Sequence, residues 1–329
     1  MRFFRFAFVL LVLAFAVGAG AFYLTSRPYQ AFDGERFVDI PRGMSTRGIA
    51  ALLRREGVIQ NDWIFLMARA LSPGTKLQAG EYRFNQPTSA QDVLARVGRG
   101  DIFYLELVVP EGQNMFDIAK DVSRLHVFTD AAFLKSARDA SSIRDLDPEA
   151  QSLEGYLWPD TYRLARTTTP AQLCAAMTRK FRAKWKELDT TANVHKVVTL
   201  ASLVEREARV PSDRPLVSSV FHNRLKDGMK LDCDPTTVYA ALLEGRYRGK
   251  IYRSDLDSSN AYNTYRNAGL PPGPIANPGF SSLKAALAPA NTKYLYFVAK
   301  PDGSGAHTFS EDLAGHSAAT AEYRRAQNQ

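Results

Sequence analysis

Cysteine and histidine are scarce in this 329-residue chain, with two cysteines, Cys174 and Cys233, and five histidines. Neither type recurs at the spacings that hold zinc or haem, so no metal site is expected and no cofactor is implied. Two cysteines are too few for a disulfide framework. Whether they form one bridge is open from sequence, although an extracytoplasmic location would permit it. Acidic excess is lacking too: Lys and Arg number 42 against 34 Asp and Glu, a formal charge of +8. That balance suits a protein beside anionic surfaces, and equally a merely basic soluble one. No nucleic-acid partner is expected. What the chain does have is a 45% hydrophobic composition, enough for two compact domains besides a membrane segment.

Long, strongly apolar runs without charge are absent except at the N-terminus. Met1-Arg2-Phe3-Phe4-Arg5 is short and basic, and Phe6 to Ser26 carries no charge, a length able to cross a bilayer as one helix. The competing reading is a cleaved signal peptide, for which Gly18-Ala19-Gly20-Ala21 offers small residues. The run exceeds the usual signal core, which favours a retained anchor. With Arg2 and Arg5 inside, the expected order is a cytoplasmic tail 1–5, a transmembrane helix 6–26 and a polar tether 27–36, with the rest exported across the cytoplasmic (inner) membrane and bilayer lipid as a partner.

Beyond the tether the chain repeats itself. Pro41-Arg42-Gly43, Ile49-Ala50 and Val58-Ile59 recur at one constant offset as Pro110-Glu111-Gly112, Ile118-Ala119 and Val127-Phe128, and Tyr82-Arg83-Phe84 reappears later as Tyr162-Arg163-Leu164. Two tandem copies of one unit are read here. Each begins with an alternating strand, Phe37–Ile40 or Leu105–Val109, turns at Pro-x-Gly, enters an amphipathic helix and returns through a Tyr-Arg strand into another helix. The first copy, 37–105, resembles a LysM-like glycan-binding module. The second, 106–180, carries the insertion Glu154–Asp160 with Trp158, and is expected to pack within the domain 106–329. The fold class expected is α+β, an N-terminal transmembrane helix and a small LysM-like αβ module followed by a mixed α/β catalytic domain.

In that domain Lys196–Val210, KVVTLASLVEREARV, is a nearly apolar helix with an acid near its end. At roughly 100° per residue Val197, Leu200, Ala201, Val204 and Ala208 share a face, Glu205 lies at its border and Arg206 points away. Desolvation there would raise a carboxyl toward neutrality, as a general acid on a glycosidic oxygen requires. A rim Glu paired with Arg206 or Arg209 is the equal alternative. Glu207 projects to the opposite edge, where orienting an Arg or backbone groups is its better reading.

The surrounding segments are rich in side chains that combine flat apolar faces with fixed donors and acceptors. Leu153-Glu154-Gly155-Tyr156-Leu157-Trp158-Pro159-Asp160-Thr161-Tyr162, Ala201-Ser202-Leu203-Val204-Glu205-Arg206-Glu207, Asn223-Arg224-Leu225, Asp234-Pro235-Thr236, Tyr262-Asn263-Thr264-Tyr265 and Gly269-Leu270-Pro271-Pro272-Gly273 follow in that order. Together they resemble the endolytic murein transglycosylase family, the YceG-like proteins, and the likeness continues through Tyr294-Leu295-Tyr296-Phe297-Val298 and His307-Thr308-Phe309. The resemblance implies that Glu205 is the catalytic acid. It also implies that Tyr262, Asn263, Tyr265, Asn223, Asp234 and Trp158 attend the saccharide, Asp234 by holding its loop. Asp232 departs from the Gln often found there, which puts one subsite contact in doubt. The implied reaction is non-hydrolytic cleavage within peptidoglycan strands, at the bond between N-acetylmuramic acid and N-acetylglucosamine, to leave 1,6-anhydro ends. Peptidoglycan synthases are a family-level expectation as partners. Two alternatives stay open, a lysozyme-like muramidase and a catalytically silent wall-binding scaffold. No second carboxylate is visible at hydrolase spacing, which weighs against the first.

Further helices are expected at Pro170–Leu188, Ser212–Lys226, Thr236–Leu243, Ser281–Ala288 and Glu311–Arg325, with Tyr294–Ala299 as a buried strand. His307 near Glu311 imitates an acid-base pair, but a satisfied structural group is the better reading.

Overall fold

The computed structural model describes residues 2–327, which separate between Tyr104 and Leu105 into two compact units. The first opens with α1 (Arg2–Ser26), so the segment expected as a separate tail continues the helix from Arg2 onward. Its stretch Phe4–Ser26 spans 23 residues at a mean hydropathy of 2.4, long and apolar enough to cross a membrane. Phe6, Phe8, Leu11 and Phe15 stand exposed along it. At 1.5 Å per residue such a helix is about 35 Å long, somewhat more than the roughly 30 Å hydrocarbon layer. Its last turn is held by protein instead: Thr25 is fully buried and its Oγ1 accepts from Gln91 Nε2 at 2.7 Å.

The rest of this unit runs β1 (Arg36–Ile40), α2 (Thr46–Arg55), α3 (Asp62–Leu71), β2 (Gly80–Phe84) and α4 (Ala90–Arg99). Ser45 and Ser89 cap α2 and α4 by accepting from Gly48 N and Asp92 N, which satisfies donors that a helix start leaves idle. The strands pair antiparallel with Val38 opposite Tyr82. Their alternation turns Val38, Ile40, Tyr82 and Phe84 onto Ile49, Leu53, Phe65, Val93 and Val97 in one small core.

The second unit begins the same way, with β3 (Leu105–Val109), α5 (Met115–Arg124), α6 (Asp130–Ala137), β4 (Asp160–Leu164) and α7 (Pro170–Glu187). Leu107 faces Tyr162 as Val38 faces Tyr82. Gly43 and Gly112 take the same left-handed turn, at φ 82° and 81°, a conformation glycine adopts without the Cβ clash. Strand, two helices, strand and helix thus recur in both units. Between α6 and β4 the second copy carries a long irregular insertion that ends in Trp158. That indole is 8% exposed and packs on Phe181 of α7 at 6.4 Å between centroids.

After α7 come α8 (Val194–Glu207), α9 (Arg214–Lys226), α10 (Asp234–Leu243), the single turn α11 (Arg253–Leu256) and α12 (Phe280–Leu287). A hairpin of β5 (Tyr296–Ala299) and β6 (His307–Ser310) and the closing α13 (Leu313–Gln327) complete the order. Among the described residues, three two-stranded antiparallel sheets stand among many helices, a mixed α/β fold. Two expectations need correction. The helix bearing Glu205 has no one-sided stripe: between Val194 and Val204 every residue except Lys196 is buried. It runs through the middle of the domain core, so burial ends along its axis, at Glu205. The strand expected to be buried is half-exposed along its length, because its hairpin lies at the edge of that core.

Candidate functional site

Glu205 sits in the last turn of α8, where a carboxylate opposes the partial negative charge of the helix end. Two donors offset this. Arg214 Nη2, in the first turn of α9, is 3.0 Å from Oε1, and the Gly279 N–H, at the start of α12, donates to Oε2 at 2.9 Å. The side chain is only 5% exposed. Its partner is therefore neither of the arginines expected from sequence. Arg206 donates instead to the Gly112 carbonyl at 3.0 Å, and Arg209 packs beside Gly305.

A second carboxylate shares the site, contrary to the sequence reading. Glu111 Oε2 lies 3.6 Å from the same Arg214 Nη2, and its side chain is 48% exposed. Burial and the nearby Glu205 charge push its carboxyl above the ordinary range, and Arg214 lowers it in part. Glu111 belongs to the Pro-x-Gly turn of the second repeat, 94 residues before Glu205, so no local spacing announces it. A methyl at Gly279 would meet the Glu111 carboxyl, which would have to shift away from the backbone.

The turn is held in place by a buried network. Gly112 N donates to Asn277 O at 2.9 Å, and Asn277 N returns a bond to Gln113 O at 2.9 Å. The Asn277 amide donates to Glu154 Oε1 at 3.0 Å and its Oδ1 accepts from Leu157 N, while Glu154 Oε2 accepts from Met115 N at the start of α5. Desolvation dominates at Glu154 and moves its pKa from 4.5 up to about 8. The folded chain then keeps a proton that the unfolded chain releases, so this group's contribution is full below about pH 4.5 and is lost as pH rises toward about 8. The thermal midpoint should fall over that window, and Glu154→Gln should flatten the slope. An unchanged slope in the variant would mean that the carboxyl is ionised in the fold.

The side chains expected on a saccharide are dispersed. Asn263 is fully buried; its Nδ2 donates to the carbonyls of Leu256 and Ser258 at 3.0 and 2.7 Å, and its Oδ1 accepts from Tyr265 N and the Thr237 hydroxyl. It has no polar edge left for a ligand and organises the loop after α11. Asn223 Nδ2 is likewise committed, to Thr292 O and Tyr294 O. Trp158 belongs to the core. Tyr262 is half-buried against Tyr239, with centroids 5.1 Å apart. Tyr265 donates to Asp234 Oδ1 at 2.7 Å, and this pair lines a cavity of about 360 Å³ with Glu207, Arg224, Asp232 and Tyr296, a wall that does not include Glu205.

Glu207, expected to orient an arginine or backbone, accepts from the Cys233 thiol at 3.1 Å, and burial raises its carboxyl. Cys174 and Cys233 are both free and buried. Asp232 adopts φ 49° and pairs with Arg224 at 3.2 Å. His307 binds Asp213, not Glu311, through both its backbone N–H and Nδ1. Sequence reasoning also missed His195, whose ring lies between Asp147 Oδ2 at 2.8 Å and Pro272 O at 3.0 Å and so supports the Pro-Pro-Gly loop. Ser202 completes that support by accepting from Ile275 N at 3.0 Å.

Comparisons with known proteins show which family the chain belongs to. The profile of the YceG-like family matches residues 38–322. An endolytic murein transglycosylase of Bacillus subtilis is 32% identical over 315 residues, covering 89% of this chain and 86% of the relative. One of Streptococcus pneumoniae strain D39 is 29% identical over 298 residues, covering 80% of this chain but 54% of that longer protein. The crystal structure of a yceG-like protein of Listeria monocytogenes superposes with a TM-score of 0.56 at 33% identity, over 86% of this chain and 98% of that one. The chain belongs to the YceG-like family.

Proposed function

We propose that this protein is a lytic transglycosylase that cleaves peptidoglycan glycan strands endolytically, with Glu205 as its acid and base. The observation that carries the reading is a carboxyl 5% exposed at the end of a core helix, beside Arg214 and an exposed second acid. Glu205 protonates the oxygen linking N-acetylmuramic acid to N-acetylglucosamine as the C1–O bond breaks. As carboxylate it then takes the proton of the muramic 6-hydroxyl while that oxygen bonds to C1 and closes the 1,6-anhydro ring. The carboxyl ends as it began and no water is consumed. Tyr265 and Asp234 lie at a separate cavity suited to hold a neighbouring part of the strand. Mass spectrometry of digested sacculi tests the reading: anhydro-ended muropeptides support it, and reducing ends or no release overturn it. Reducing ends would favour a muramidase, a reading that Glu111 keeps open because hydrolysis needs a second carboxylate to act on water or on C1. Its being out of sight in the sequence no longer counts against hydrolysis.

The N-terminal helix acts in this reading as a single-pass anchor in the cytoplasmic membrane, with the catalytic domain outside, near the synthases whose nascent strands it terminates or trims. The first repeat serves as a glycan-binding module. Full-length protein should sediment with membranes, whereas a chain beginning near Arg27 should be soluble and still cut purified peptidoglycan. Recovery of a mature soluble form lacking residues before about Ala21 would show that the helix is a cleaved signal.

A further inference from the structure

Arg214 stands between two carboxylates. Its Nη2 is 3.0 Å from Glu205 Oε1 and 3.6 Å from Glu111 Oε2, one acid enclosed and the other at the mouth of the site. It also donates to the Ser281 hydroxyl, yet its Nε is buried with no hydrogen-bond partner. Most enclosed side-chain donors in a folded protein have a partner. This one keeps an idle donor. In the proposed cycle Glu205 is neutral twice, before it gives up its proton and after it takes one from the 6-hydroxyl. Each time Arg214 loses its enclosed counter-charge, and an enclosed cation without a partner is costly.

We propose that Glu111 is a positioning residue that takes over Arg214 each time Glu205 gains a proton and returns it when Glu205 gives the proton up. This rests on the assignment of Glu205 above. With Glu205 protonated, Arg214 and Glu111 cancel. When the proton leaves for the glycosidic oxygen the cluster carries one net negative charge, opposing the positive charge that develops at C1. The groups facing the cluster are Arg206 from α8, held on Gly112 O, the Gly279 N–H and Ser281 hydroxyl from α12, and Arg214 from α9. The raised Glu111 carboxyl, which feels burial, the Glu205 charge and Arg214 in that order, fits two acids sharing one cation.

The test is the pH dependence of glycan-strand turnover by full-length wild type, Glu111→Gln and Glu111→Asp. Without the Glu111 charge Arg214 stays on Glu205 and opposes its protonation. Glu111→Gln should therefore lose turnover on the order of 10-fold or more, at nearly unchanged KM, with its alkaline limb displaced to lower pH. Glu111→Asp keeps the charge but shortens its reach, and should displace the limb part of the way. An unmoved limb in both variants, whatever their rates, would make Glu111 structural and overturn the proposal. Thermal unfolding checks the fold, and if Glu111→Gln does not fold, Glu111→Asp decides by the same criterion. Failure of the underlying reading looks different, since Glu205→Gln would then keep full turnover whatever Glu111 does.

Discussion

Glu205→Gln should abolish strand cleavage, with a loss of about 10²-fold or more on the scale of general acid catalysis. The amide keeps the shape of the side chain but cannot deliver the proton. Both Glu205 oxygens accept, from Arg214 and from the Gly279 N–H, so the amide nitrogen must face one donor. Stability should fall by roughly 1–3 kcal/mol for that lost bond, small enough to leave a folded protein. Glu207→Gln is the control. Its carboxyl meets the Cys233 thiol on the wall of another cavity, and turnover should change far less. Muropeptide release measured beside thermal unfolding separates chemistry from folding, and equal turnover of wild type and Glu205→Gln would remove the assignment.

Gly155→Ala should be among the most destabilising single changes in the chain. Gly155 has φ +86°, and a Cβ there would lie 2.5 Å from Pro274 Cβ and Cγ and 2.8 Å from Val198 Cγ1. The left-handed backbone costs an alanine about 1–2 kcal/mol. Overpacking against a proline ring and a buried helix adds about 1–3 kcal/mol, because neither neighbour swings aside as a long side chain does. Val198 lies on the helix that carries Glu205 and Pro274 on the loop leading to Gly279, so the same wedge should reduce turnover. Denaturant titration should show a midpoint shift worth about 2–5 kcal/mol, and a change below about 0.5 kcal/mol would mean that the Glu154–Asp160 segment is not wedged there.

The local signals in this chain were strong where the backbone itself decides. Pro170 after Thr169, with Gln172 completing a capping box, places the start of α7 at the residue expected. The Pro-x-Gly turns were legible because both glycines take the left-handed conformation that such a turn demands. Periodicity misled at α8: a helix enclosed almost all round carries no amphipathic signal, so apolar positions at helical spacing were read as a stripe with Glu205 on its border. At Asn263, expected on the saccharide from the resemblance, the side chain ties loop carbonyls together, a use for a polar residue that sequence does not distinguish from touching a sugar.

What the sequence by itself determined is the apolar N-terminal helix, the repeated pattern of a strand, a Pro-x-Gly turn, a helix and a returning Tyr-Arg strand, and the family resemblance. Each of these is carried by short local patterns of residue type. Which groups meet Glu205 was decided by the tertiary structure alone. Glu111 comes from a turn far upstream, Arg214 from the start of the next helix and the Gly279 N–H from a loop end 74 residues downstream. The same holds for the separation of Asp234 and Tyr265 from the acid, which follows from Glu205 and Glu207 leaving opposite sides of one helix. Hydrogen bonds and charge act over a few ångströms in space, and their partners are set by how α8, α9, α12 and the Glu154 insertion pack around a common core.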